Sequence, residues 1–240
     1  MTDTQRFFFI HIMKTAGATF RQHLRLNFTE EQRYPNPALE SVPPVEFNLL
    51  VDYVTNLSAE RQQQLRSYAG HFPFVVTELL PVPVTTYTIL RHPVDRVLSY
   101  LKQRRVELGV DTLEEVYEDT FTRQCLLDNH QVKVFALSVD DEPQSIMDVI
   151  AIDQARFERA CTNLEQVDVV GLTERYDDFC AAIVDRFGWR LGDVPNRRVA
   201  DPVEVSDSLR SRITADNEFD IAFHDFGRRL IDSRSDAAIT

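Results

Sequence analysis

The chain has 240 residues, 43 % of them hydrophobic, enough for one large domain or two small ones around a substantial core. Its formal net charge of −12 is unevenly spread: residues 1–110 hold 12 Lys and Arg against 10 Asp and Glu (net +2), and residues 111–240 hold 14 against 28 (net −14). The acidic half lacks the clustered cations that nucleic acid demands, and no apolar run reaches the length of a membrane helix. The N-terminus has no basic segment leading into an apolar signal core, so a soluble, cytoplasmic chain is expected. Cys125, Cys161 and Cys180 are odd in number and lack metal-ligand spacing, which fits reduced thiols.

In chain order, the β-formers Phe7, Phe8, Phe9, Ile10 and Ile12 run directly into Lys14-Thr15-Ala16-Gly17-Ala18-Thr19. Phe20, Leu24 and Phe28 follow at i, i+4 and i+8, so the segment reads as strand, tight polar loop, helix. Tyr34 to Pro44 is proline-rich and predicts an extended surface loop, and Ser58 is placed to cap a helix through about Arg66. Val84 to Leu90 predicts a second buried strand, and Pro93 suits the first position of a helix to about Leu108. Helical patterns cover Thr112 to Asp119, Arg123 to Leu137 and Asp153 to Glu165, and Val167 to Gly171 predicts a third core strand. Tyr176, Phe179, Ile183 and Phe187 mark one apolar helix face, and two last helices are expected at about Ser206 to Asn217 and Asp220 to Ser233. Strands separated by helices imply a parallel sheet covered on both faces, in a single domain over residues 1–240.

Three segments can carry chemistry. The loop Lys14 to Thr19 leaves backbone N–H groups unpaired at the positive end of a helix beside a lysine, which suits a phosphate. It is not a Walker A loop, because Lys14 precedes Gly17 rather than following a Gly-rich turn. Thr88 to Leu101 (TILRHPVDRVLSYL) ends a strand at Arg91 and places Ser99 about two turns into the next helix; a guanidinium fork suits a phosphate monoester. Two clamps of different kinds point to one ligand with phosphates at both ends. Gly70-His71-Phe72 lies between them, and a histidine near neutral pKa suits a general base, with Glu78 as second candidate.

HIMKTAGAT (His11 to Thr19) resembles the HIPKTAGT-type loop of sulfotransferases that use 3'-phosphoadenosine 5'-phosphosulfate (PAPS), in the branch of uronyl 2-O-sulfotransferases and bacterial members; Met13 stands where that family usually has proline. RHPVDRVLS resembles the family's 3'-phosphate motif, with His92 at a position often held by Asp or Asn. The resemblance implies a three-layer P-loop-like α/β fold, a central parallel sheet flanked by helices, and sulfuryl transfer from PAPS to a hydroxyl of a carbohydrate or small-molecule acceptor without a metal. It implies that the N–H groups of Thr15, Ala16, Gly17, Ala18 and Thr19 and the Thr19 hydroxyl hold the 5'-phosphate. Lys14 would neutralise the bridging oxygen, Arg91 and Ser99 would bind the 3'-phosphate, and His71 would take the acceptor proton. A late basic loop in these enzymes often closes over the 3'-phosphate, which puts Arg197 or Arg198 there.

Asn129, Gln131 and Lys133 resemble an Asn-x-Gln-x-Arg segment of the family, lining the acceptor cleft or lying on an exposed helix face. GLTERYDDF (Gly171 to Phe179) resembles another, read as core and capping. The acidic second half argues for a neutral or modestly charged acceptor. Two rival readings stand beside this one: a nucleotide kinase or NTPase with a degenerate P-loop, and an inactive module that binds 3'-phosphoadenosine 5'-phosphate (PAP).

Overall fold

The computed structural model describes residues 5–40, 48–193 and 204–239. At its centre is an all-parallel five-stranded sheet of order β2-β3-β1-β4-β5, flanked by helices. The strands are β1 (Phe7–Ile10), β2 (Arg33–Tyr34), β3 (Ser67–Tyr68), β4 (Thr85–Leu90) and β5 (Val169–Leu172).

The apolar run at β1 is that of a strand covered on both faces. Phe7 and Phe9 pack with Phe20, Leu24, Phe28, Phe179, Phe187 and Trp189 on one side. Phe8 and Ile10 pack with Val132, Phe135, Leu164 and Phe223 on the other. All four strand residues are 0 % exposed, and burial of side chains this size stabilises by about 1.5–3 kcal/mol each. Phe20, Leu24 and Phe28 are buried together as expected, but the helix ends at Leu24 and Phe28 follows it after a turn.

The three expected strands are present, and two more join them. β2 and β3 are two residues each, too short to show alternation. Tyr34 is 1 % exposed and belongs to β2, and Pro35 and Asn36 are buried; of the expected surface loop only Pro37 to Leu39 are exposed, and residues 41–44 lie outside the described residues. Ser58, Thr112, Asp153 and Ser206 each cap a helix through their side chains.

The helix expected over Arg123 to Leu137 is instead broken. A π-turn over Arg123–Leu127 ends at Asp128, Asn129 takes a positive φ of 48°, and a new helix covers His130–Ala136. The cause lies elsewhere in the chain: fully buried Arg96 takes the carbonyls of Leu126 and Leu127 at 2.9 and 2.7 Å, removing acceptors that would have continued the ladder. The last helix, Glu218–Ile239, outruns its apolar periodicity at both ends. No helix among the described residues is long and apolar enough to cross a membrane.

The strand order decides where ligands can go. From β1 the chain leaves toward β2 and β3, then crosses to β4 and β5 on the opposite side of β1. A crevice therefore opens beyond the carboxyl ends of β1 and β4, where parallel sheets bind ligands.

Candidate functional site

The loop after β1 is built from two left-handed residues, Lys14 (φ 69°) and Ala16 (φ 64°). Neither is glycine, so each conformation costs about 1–2 kcal/mol, strain that concentrates at functional sites. Such turns point successive N–H groups into one concavity. Thr15 is fully buried and its hydroxyl donates to Ile12 O at 3.0 Å, fastening the loop to the strand end. Gly17 opens the helix Gly17–Leu24 against the His11 ring: a Cβ there would lie 1.9 Å from His11 Nε2. The glycine is required by this approach, since its own φ is not positive.

Thr19 N–H already donates to Ala16 O at 3.0 Å, a correction to the set of amides expected to face a phosphate. The amides of Ala16, Gly17 and Ala18 lie at the helix entrance, where helix geometry supplies no partner.

A cleft of about 1050 Å³ opens over this loop. Lys14, Ala16, Gly17, Ala18 and Thr19 line it, together with His71, Arg91 and Ser99. Three adjacent strands converge here: β3 leads to His71, β1 to Lys14 and β4 to Arg91. The two segments expected to hold phosphates touch, with Arg91 Nη1 donating to Lys14 O at 3.1 Å.

Lys14 Nζ donates to Gln103 Oε1 at 2.7 Å, and Gln103 Nε2 donates to Glu107 Oε1 at 2.5 Å. A carboxylate only accepts, so Glu107 turns the Gln103 amide and leaves its oxygen for Lys14. Ser99, Gln103 and Glu107 fall at i, i+4 and i+8 on the helix Pro93–Leu108, a spacing that would have brought Gln103 forward once Ser99 was chosen.

His71 sits at the cleft floor, its ring stacked on that of His11 at 3.9 Å between centroids. Its Nδ1 is 2.9 Å from His11 O. A carbonyl oxygen can only accept, so Nδ1 carries the proton and neutral His71 keeps its lone pair on Nε2. Burial pushes the ring pKa down to about 4, with the positive charge of Arg21 acting in the same direction and the His11 carbonyl opposing.

Gly171, Leu172 and Phe179 are buried, as the mostly core reading of Gly171 to Phe179 expects, while Thr173, Glu174, Tyr176 and Asp177 between them line the cleft. Burial would raise the Glu174 carboxyl, but His224 beside it and the His92 N–H, which it accepts at 2.8 Å, bring it down to about 2. His92 thus starts its helix without a side-chain cap, its backbone tied to this carboxylate. Arg21 and Gln22 of the first helix and Arg25 just past its end also line the cleft. Their own spacing gave no sign of this, because an exposed polar helix face looks the same with or without a cleft beside it.

Other expected residues lie elsewhere. Glu78 is exposed on the helix Val76–Leu79 and does not line the cleft. Asn129, Gln131 and Lys133 form neither an acceptor wall nor an exposed face. Gln131 and Lys133 are 0 % and 1 % exposed, and Asn129 is tied to Asp216 and Asn217. Lys133 donates to the carbonyls of Cys125 and Asp148, and burial brings its pKa down to about 8. Arg197 and Arg198 lie outside the described residues.

A second cavity, of about 710 Å³ beside β2, holds none of the motif residues. Its Arg61 is already used on Glu40 and on the carbonyls of Glu31 and Arg33. The chain matches no protein-family model, and no curated protein matches it.

Proposed function

We propose that the chain is a PAPS-dependent sulfotransferase with a single three-layer, P-loop-like α/β domain. It moves a sulfuryl group from PAPS to a hydroxyl of a carbohydrate or small-molecule acceptor. The observation that carries the reading is that the two motifs share one cleft, with Arg91 Nη1 3.1 Å from Lys14 O. A ligand with phosphates at both ends can be gripped from both. The cleft, about 1050 Å³, is at the upper end of the roughly 300–1,000 Å³ typical of small-molecule sites. The three free cysteines suit a reducing compartment such as the cytoplasm.

In this reading the amides of Ala16, Gly17 and Ala18 and the Thr19 hydroxyl hold the 5'-phosphate, and Arg91 and Ser99 hold the 3'-phosphate. The acceptor oxygen attacks sulfur in line, its proton passing to His71 Nε2. The bond from sulfur to the bridging oxygen breaks, and that oxygen keeps the electron pair. Lys14 and the loop amides neutralise the charge developing there, stabilisation that a kinase draws from Mg²⁺. His71 would be a weak base in the unliganded protein, but an anionic nucleotide in the cleft raises its pKa toward neutrality.

The test is a thermal-shift comparison of PAP, ATP-Mg and buffer, followed by labelled sulfate transfer from PAPS to carbohydrate and phenol acceptors. Stabilisation by PAP without metal, and transfer, are expected. Stabilisation by ATP-Mg alone would turn the reading to a kinase or NTPase. PAP binding without transfer to any acceptor would leave an inactive binding module.

A further inference from the structure

Behind the cleft, the fully buried Gln131 side chain is a polar group that the transfer chemistry does not use. It sits in the first turn of the helix His130–Ala136, with its amide against the backbone of Arg91 on both sides. Oε1 accepts from Arg91 N–H at 3.1 Å, and Nε2 donates to Arg91 O at 2.9 Å. This is the pattern by which a neighbouring strand would hold a residue. Pairing between β4 and β5 stops at Leu90 with Leu172, so Arg91 is the first residue past the ladder. Gln131 takes the place of the missing strand.

The brace is itself fixed from behind. Gln131 N–H donates to Asp220 Oδ2 at 3.1 Å and Val132 N–H to Asp220 Oδ1 at 2.8 Å. Asp220 N–H in turn donates to Asn129 Oδ1 at 3.0 Å. Asp220 is 0 % exposed, so the last helix is locked to the turn that presents Gln131. This also accounts for Gln131 being buried although it is polar.

We infer that Gln131 is a positioning residue: it holds the Arg91 backbone past the end of β4 and so aims the guanidinium at the ligand's 3'-phosphate. The inference rests on the sulfotransferase reading for the identity of that phosphate. Two variants test it. Gln131→Met keeps the volume and loses both bonds, whereas Gln131→Glu keeps the acceptor and loses the donor.

Affinities for PAP and for AMP, which lacks the 3'-phosphate, are measured by calorimetry, and folding is checked by urea titration. In Gln131→Met, PAP affinity is expected to fall about ten-fold, as for one misaligned charge-assisted hydrogen bond, while AMP affinity changes less than about two-fold. Gln131→Glu should show a smaller loss of the same selectivity. Parallel losses for both nucleotides, or no loss, would overturn the inference. If the native chain itself prefers PAP no more than AMP, the sulfotransferase reading fails instead. The brace is then decided by hydrogen exchange at the Arg91 amide, which must lose protection in Gln131→Met; unchanged protection refutes it.

Discussion

Replacing His71 by Asn tests the protonation state assigned to the cleft. An Asn amide can still donate to His11 O, so the backbone contact at 2.9 Å is approximately kept while the titrating ring is removed. In the native chain burial brings the ring to about 4, against about 6.5 for an unfolded histidine. Between these values the unfolded chain binds a proton that the folded chain refuses, so stability is lost as pH falls from about 6.5 to about 4. At about 1.36 kcal/mol per pH unit the loss comes to about 3 kcal/mol, less whatever solvent relieves through the open cleft. His71→Asn should escape it. Urea unfolding of both proteins at pH 7.5, 5.5 and 4.5 should therefore show the native chain losing its advantage, or gaining a deficit, by up to that amount. The other buried histidines are present in both proteins, and His130, held down chiefly by its own burial, feels His71 only weakly. A stability difference that stays constant over this range would refute the assignment, because the ring would then titrate alike in the folded and unfolded chains.

Three further outcomes follow from the cleft. Lys14→Ala should lower sulfate transfer by about 10²-fold, the scale of a lost transition-state donor; near-normal turnover would count against its role. Arg91→Ala should weaken PAP binding by about 1.5–3 kcal/mol and AMP binding much less, with equal losses in calorimetry marking Arg91 as structural. Gly17→Ala, whose Cβ would lie 1.9 Å from His11 Nε2, should destabilise by about 1–3 kcal/mol and weaken nucleotide binding. Native stability and affinity in that variant would show that the His11 ring yields without effect.

What lies close together in sequence was legible without the fold. The strand-loop-helix from Phe7 to Leu24 and the helix Pro93–Leu108 appear as expected, because apolar period and Pro93 are local signals. The π-turn and break between Arg123 and Asn129 were not legible, because their cause is the guanidinium of Arg96, thirty residues away at Leu126 O. Glu78 looked eligible as a base until the short helix carrying it was placed outside the cleft.

The sequence by itself determined the two local elements of the proposed site, since a loop at a helix entrance and an arginine at a strand end are each written in a few consecutive residues. It also determined which strand is buried on both faces, through an uninterrupted apolar run. Only the tertiary structure decided that both segments and His71 meet, because strand order β2-β3-β1-β4-β5 sets the ends of β3, β1 and β4 side by side. The same packing decided which nitrogen of His71 bears the proton and what holds Arg91 in place. Those properties depend on the carbonyl of His11 and the amide of Gln131, groups brought near by the fold and by nothing in the local chain.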